Sequence, residues 1–426
     1  MRRNAWYVVF VLTLLYSISY VDRQMLSLLI DPIRRDLQIS DTQIGLLTGF
    51  AFAAVYAVLG VALGRVADTR NRVGLIAVGL GAWSVATAAC GLARNFGQLF
   101  LARMAVGAGE ASLTPTAYSI FSDYFPPRRL GRAVAVYTLA QYFGAGIALL
   151  LGGLLVGRLA GWGPVSLAGL TVQPWQLAMV AVSIPGLLAL PLLGTIKEPA
   201  RRELPAAAGA ETRSVVRHLR HYWPVYLTHF MGFSVAGLFA TGFATWLPEF
   251  LRRSHGWSIP RAGLALALIL ILVGGPSTLA GGWLADRLRE RKRFAAPIWI
   301  SVIALLAAWP FAVWAPLAAS ATQSLLLVGV VVACVTLPTA VAPTALQLVT
   351  PNRMRAQVSA VYLLCTNLIG TGAGPLVVGL TTDRVFGRDA ALPQSLSLLA
   401  AVACPVAAMA LFLGRRAFAR LAAEQG

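Results

Sequence analysis

Charge is scarce in this chain. Asp, Glu, Lys and Arg make up 12% of its 426 residues, and only 16 residues are acidic, against roughly 25% charged residues in an average soluble domain. With 58% hydrophobic residues and a mean hydropathy of +0.72, a soluble globular class is excluded. The four cysteines, Cys90, Cys334, Cys365 and Cys404, all fall inside apolar runs, so they read as small core residues and provide no disulfide framework. A Walker loop, metal-ligand spacing and a nucleophile triad are also missing, which argues against a primary pump or an enzyme and leaves no cofactor to expect.

What the chain does have is long apolar runs. Most reach the roughly 20 residues that a helix needs to cross a bilayer, where membrane strands would show alternating segments of about 10. Gly, Pro and charged residues bound twelve predicted helices at 6–29, 43–67, 73–93, 96–122, 131–157, 175–196, 222–250, 261–284, 294–315, 323–349, 356–381 and 392–414. The expected fold is an all-α integral membrane protein with two pseudo-symmetric six-helix bundles, 1–196 and 222–414. A linker or surface-lying segment over 197–221 joins them, and a tail follows over 415–426. Met1-Arg2-Arg3 before an apolar stretch imitates a signal peptide, but the stretch is too long, carries Asp22-Arg23 and lacks a small-residue cleavage site, so it reads as the first helix.

The net charge of +19 has to be located before it is interpreted. Counted on alternate sides of the twelve helices, 24 of the 35 Lys and Arg fall on one side and 9 on the other; Arg23 and Arg103 are inside helices. This asymmetry predicts that both termini and the linker are cytoplasmic. The basic residues are then a topology signal and an attraction to membrane lipids, and no nucleic-acid partner is expected.

The two halves repeat. Gly64-Arg65-Val66-Ala67-Asp68 ends the second helix, and Gly282-Trp283-Leu284-Ala285-Asp286 ends the eighth. Pro115-Thr116-Ala117 and Pro343-Thr344-Ala345 precede the 4–5 and 10–11 loops, each of which leads into a Val-Tyr pair. The stretch from Gly64 through Asp68 to Arg72 resembles the cytoplasmic signature of the major facilitator superfamily, with Thr69 at a usually basic place and Asn71 at the second Gly. Gly64 allows close helix approach, Asp68 can accept hydrogen bonds from a helix N-terminus and Arg72 can pair across the loop. Gly282, Asp286 and Arg287 form the second copy, with Arg289 where Gly is expected. Together they read as a cytoplasmic gate or as ordinary basic turns.

Four ionisable residues stand where hydrocarbon is expected: Asp22, Arg23, Arg103 and Glu110. A charge at the centre of a membrane helix costs roughly 2.5–3.5 kcal/mol on insertion scales, so such residues persist where they face a cavity or one another. At 1.5 Å per residue, Asp22 lies about 24 Å along the first helix and Arg103 about 10 Å from the opposite-running fourth helix's outer end, so they can share a level. Glu110, two turns beyond Arg103, falls on nearly the same face. The four charges sum to zero. Protonating either carboxylate leaves +1, which suits an anionic headgroup and couples protons to substrate without fixing symport or antiport. A neutral ion-pair network that locks helices together is the other reading.

The second half offers His229, Asn367, Thr336, Thr339 and, near a helix end, Glu249. His229 and Asn367 are its candidate substrate contacts, although a lone His is more often structural. With Leu264–Leu272 almost wholly aliphatic, one charged wall and one greasy wall suit an amphiphile. The glycine-rich stretches Gly144–Gly157 and Gly370–Gly379 read as close helix packing.

Tyr20-Val21-Asp22-Arg23 and the run Arg103-x-x-x-Gly107-x-Gly109-Glu110-Ala111-Ser112 resemble a bacterial member of the spinster family, a major facilitator branch whose animal members are associated with sphingosine-1-phosphate and lysophospholipid transport. The resemblance implies a secondary active transporter that works by alternating access, with a proton gradient as energy source and a lysolipid- or sphingolipid-like cargo. Asp22 and Glu110 would then take part in proton coupling, and Arg23 and Arg103 in substrate or charge-network contacts. It also implies a multi-pass protein of the bacterial inner membrane, expected to be monomeric. Anion:cation symporters of the same superfamily carry similar stretches, and for that branch the cargo would be a small organic anion such as a sugar acid. A receptor or scaffold that keeps the fold without moving cargo is the competing class.

Overall fold

The computed structural model describes residues 2–167, 170–201, 208–291, 294–351 and 354–425. It is nearly all helical. A short antiparallel hairpin, Val165–Leu167 with Leu170–Val172, lies between the fifth and sixth spans. Among the described residues, eleven helices are long and apolar enough to cross a membrane: Ala5–Leu28, Asp41–Ala67, Arg72–Cys90, Arg129–Ala160, Pro174–Gly194, Trp223–His255, Ile259–Leu288, Ala296–Leu317, Ala321–Leu348, Gln357–Phe386 and Asp389–Glu424.

The predicted helix over 96–122 is present in two pieces, Phe96–Glu110 and Leu113–Tyr124. Pro115 accounts for the break: its ring cannot accept the carbonyl of Ala111 four residues earlier, and it has no N–H to continue the ladder. Ser112 Oγ donates to the Gly109 carbonyl at 2.8 Å across the interruption. The break falls directly after Glu110. Counting this pair as the fourth, we number the spans one to twelve in chain order.

Two compact units divide the chain, Met1–Leu204 with Leu251–Leu270, and Pro205–Phe250 with Ile271–Gly426. The end of the seventh span and the start of the eighth therefore pack within the first unit. Charge holds them there: Arg253 donates to both oxygens of the fully buried Asp41 at 2.6 and 2.8 Å, and Arg252 reaches Asp31 at 2.7 Å.

The second unit is built on an apolar core that includes Val215, Tyr226, Met354 and Leu411. The last helix does not stop at 414 but runs over Leu392–Gln425, because Phe418, Leu421 and Ala422 recur at helical spacing and are buried in that core. Part of the linker is also helical, Ala208–His221, and its Val215 is buried in the same core.

Candidate functional site

Two elements of the first unit deliver the charges, the first span and the Phe96–Glu110 piece of the fourth. Asp22 and Arg23 are consecutive on the first span, so they leave the helix about 100° apart and meet different neighbours. A helical side chain leans towards its helix's N-terminus, and Arg23 accordingly reaches back to the level of Ser19. There Glu110 Oε2 accepts from Ser19 Oγ at 2.6 Å and from Arg23 Nε at 2.7 Å, with Arg23 Nη2 also 2.6 Å away. Asp22 faces the third span, where Thr87 Oγ1 donates to its Oδ2 at 3.3 Å. Arg103 lies in electrostatic range of Asp22, Glu110 and Cys90.

Asp22, Arg103 and Glu110 are each only 1% exposed, whereas the Arg23 side chain is 17% exposed. Their capacity for hydrogen bonding is not used up. Asp22 Oδ1, Glu110 Oε1 and two nitrogens of Arg103, Nε and Nη1, are buried without a partner among the described residues. Unsatisfied buried charge is costly, and in native proteins it concentrates where a ligand, ion or water completes the set.

Aromatic rings enclose the cationic side. The Arg23 guanidinium lies 4.5 Å from the Phe52 ring centroid, 4.9 Å from Tyr56 and 5.0 Å from Tyr20; Arg103 lies 5.5 Å from Phe52. Tyr16 stacks on Tyr137 at 4.5 Å, and the Tyr20 hydroxyl donates to Gln141 at 3.2 Å. Sequence reasoning overlooked this aromatic wall. Its signal was the i,i+4 spacing of Tyr16 with Tyr20 and of Phe52 with Tyr56, each of which places two rings on one helix face.

Glycine brings the fourth span close enough to build the cluster. A Cβ at Gly107 would lie 2.5 Å from the Phe52 carbonyl oxygen, and one at Gly109 would lie 2.7 Å from the Trp83 nitrogen. Neither backbone can retreat, so the motif's glycines set the distance between the fourth span and the second and third.

The expected gate residues behave unequally. Arg72 is 1% exposed and pairs with Asp123 and with Glu198, the latter at 2.9 Å; it also donates to the Ser119 hydroxyl and carbonyl and to the Pro199 carbonyl. Glu198 also accepts from the backbone nitrogens of Arg72 and Val73, and Asn71 Oδ1 caps the same helix by accepting from Gly74 at 2.6 Å. Asp123, Glu198 and Asn71 were missed as partners because they lie outside the motif or at its variant position. The side chain of Asp68 lies outside the described residues. At Gly64 a Cβ would make ordinary contact, 3.8 Å from Pro115 Cβ, so close approach is not what requires glycine there. In the second copy a close approach falls at Gly281, where a Cβ would sit 2.3 Å from the Leu337 carbonyl oxygen. Asp286 and Arg287 are exposed, and Arg287 lies over the Trp283 ring at 5.3 Å.

The remaining candidates belong to the second unit. His229 is 2% exposed among Phe233, Tyr362 and Phe418, and neither ring nitrogen finds a partner among the described residues. Asn367 is half-buried in a π-helical stretch, Thr366–Gly372, and donates to the Leu363 carbonyl of its own helix.

A family profile described as Major Facilitator Superfamily matches residues 12–375. An MFS-type efflux pump of Mycolicibacterium smegmatis is 32% identical over 98% of this chain and 94% of its own length. A probable L-galactonate transporter of Escherichia coli is 25% identical over 88% of this chain and 82% of its own. Among solved structures, a bacterial homolog of the human lysosomal transporter Spinster, in an inward-facing and unoccupied conformation, aligns with 100% of this chain and 98% of its own at TM-score 0.81 and 26% identity.

Proposed function

The chain belongs to the major facilitator superfamily and is a secondary transporter of that type, and from this premise we propose that it moves an anionic amphiphile by proton-coupled alternating access. One observation carries the reading: Glu110 spends a single oxygen on Arg23 and Ser19, while its other oxygen and two Arg103 nitrogens, buried in the same region, have no partner among the described residues. A proton on Glu110 abolishes the ion pair. With Asp22 still charged, it leaves one net positive charge on the Arg23–Arg103 pair inside an aromatic enclosure, which is where an anionic headgroup gains most. When the headgroup leaves, Glu110 takes Arg23 back and gives up its proton. Asp22, held by Thr87 and facing Arg103, is the second carboxylate of the relay.

The tyrosines and Phe52 supply apolar surface next to charge, a combination that fits a lysolipid- or sphingolipid-like molecule better than a sugar. His229, buried among aromatic rings, has a structural part. A second reading, transport of a small organic anion such as a sugar acid, draws on the unpartnered arginine nitrogens and on the similarity to the L-galactonate transporter.

Purified protein in liposomes tests both. Lysolipids, sphingoid phosphates and sugar acids are screened with and without a proton gradient. The amphiphile reading expects lysolipid-type cargo to move and sugar acids not to compete; the opposite outcome selects the second reading. Glu110→Gln is expected to lower gradient-driven transport by about 100-fold, as when a required charged partner is removed, and to flatten its pH dependence. Retention of the wild-type pH profile by this variant would remove Glu110 from the mechanism.

A further inference from the structure

A cavity of about 370 Å³ opens in the first unit at the end opposite the 2–3 loop, away from the Glu110 cluster. Its level in a membrane follows from its walls. The first span ends at Leu28, the fifth at Ala160, and the sixth begins at Pro174, so the cavity sits where three hydrophobic spans meet the headgroup region. Trp175 forms part of the wall and is buried, with its Nε1 donating to Asp36 Oδ2 at 2.8 Å.

The lining divides by chemistry. Leu29, Val156 and Ala160 present an apolar side, and Arg35 and Asp36 present one charge of each sign. Arg35 uses only its Nε, on Asp31 at 3.0 Å; its two Nη groups make no hydrogen bond among the described residues, and its side chain is 73% exposed. Asp36 commits one oxygen to Trp175 and leaves the other open. A free guanidinium end beside a free carboxylate oxygen, over an apolar wall at headgroup depth, complements a zwitterion on acyl chains.

We propose that this cavity holds a phosphatidylethanolamine molecule of the surrounding leaflet as a resident lipid. Arg35 Nη groups take the phosphate, the Asp36 oxygen not used by Trp175 takes the ammonium, and the acyl chains follow Leu29, Val156 and Ala160. Asp36 supplies the selectivity, because a lipid with a phosphate but no amine leaves that carboxylate beside an uncompensated anion. Arg35 also ties the site to the Asp31–Arg252 pair, since both arginines donate to the same Asp31 oxygen. None of this depends on the identity of the transported solute.

Native mass spectrometry of the full-length protein with added phosphatidylethanolamine or phosphatidylglycerol tests the assignment. Wild type is expected to retain phosphatidylethanolamine about tenfold more tightly, the discrimination expected of one charge-assisted contact. Asp36→Asn is expected to erase that preference, Arg35→Gln to weaken both lipids about tenfold, and Ala160→Trp, which puts an indole on the cavity's apolar wall, to weaken retention of both. Because Arg35 and Asp36 are exposed, their variants decide the matter even if Ala160→Trp fails to fold. Unchanged preference in Asp36→Asn, or unchanged retention in Arg35→Gln, overturns the proposal. So does displacement by glycerophosphoethanolamine at the lipid's own effective concentration, which would make the cavity a site for a soluble zwitterion.

Discussion

The two copies of one sequence pattern have opposite fates. At the 2–3 corner Arg72 is buried and bonded to two carboxylates, a hydroxyl and two carbonyls, and the following helix is capped by Asn71. At the 8–9 corner Asp286 and Arg287 are exposed, and the following helix, Ala296–Trp314, has no side-chain cap. The difference begins in the motif itself: with Gly64 aligned on Gly282, Asn71 falls on Arg289 and Arg72 on Glu290, and Arg287 stands where the first copy has Thr69. Eight residues after Pro115 the first half has Asp123; eight residues after Pro343 the second half has Pro351. Beyond the sixth span comes Glu198, whereas the corresponding helix of the second half continues through Arg415 and Arg416. The second copy thus lacks both the cation and its partners, and the two corners differ in electrostatics because a buried charge persists only together with the residues that pair it.

The sharpest way to break this comparison is to remove the arginine from each corner. Arg72→Ala removes the buried cation that pairs with Asp123 and Glu198. Losing one partner of a buried pair costs about 3–5 kcal/mol, with the lower end expected because Glu198 is partly exposed. Arg287→Ala should cost no more than about 0.5 kcal/mol, the usual effect of an exposed substitution. Thermal unfolding of the two purified variants measures the gap. Equal midpoints would mean that the buried network contributes nothing to stability.

How much of this was legible beforehand follows the same line. Hydropathy located the spans because the bilayer imposes a length, and the buried charges announced themselves by being in the wrong solvent. The pairing of Arg23 with Glu110 was not legible. It depends on an arginine leaning back along its helix to the level of Ser19, which a depth estimate made from Cα positions places one turn away. Asp22 and Arg23 read as one unit in sequence and part company around the helix. The break after Glu110 was available in Pro115, but an apolar run with a proline still reads as one span. Partners such as Glu198 are invisible because nothing local marks a residue 126 positions away.

A second test compares glycines within the first unit. Gly107→Ala drives a Cβ into the Phe52 carbonyl oxygen, and overpacking of this kind costs about 1–3 kcal/mol. It also displaces Phe52 from under Arg23 and Arg103, so substrate binding should weaken along with stability. Gly64→Ala meets only an ordinary contact and removes a flexible residue from a helix, for a gain of up to about 1 kcal/mol. Opposite signs in the two melting curves are expected. A loss at Gly64 as large as that at Gly107 would show that another conformation of the transport cycle closes on it.

The smallest effect is expected at His229, the one histidine buried deep in the second unit. Its ring packs 4.6 Å from Phe233 and 5.5 Å from Tyr362, and its nitrogens gain no hydrogen bond among the described residues. A phenylalanine keeps the ring and removes two polar atoms that are buried without partners, and substitutions of that kind run from neutral to stabilising. His229→Phe should therefore melt at the wild-type temperature or slightly above it, by the equivalent of about 1 kcal/mol at most, and should transport at the wild-type rate with the same pH profile. Glu110→Gln has to behave otherwise in the same assay. If His229→Phe instead altered the pH profile, the second unit would own a titrating group, and the division between a charged unit and an apolar one would fail at the residue where it is most exposed to test.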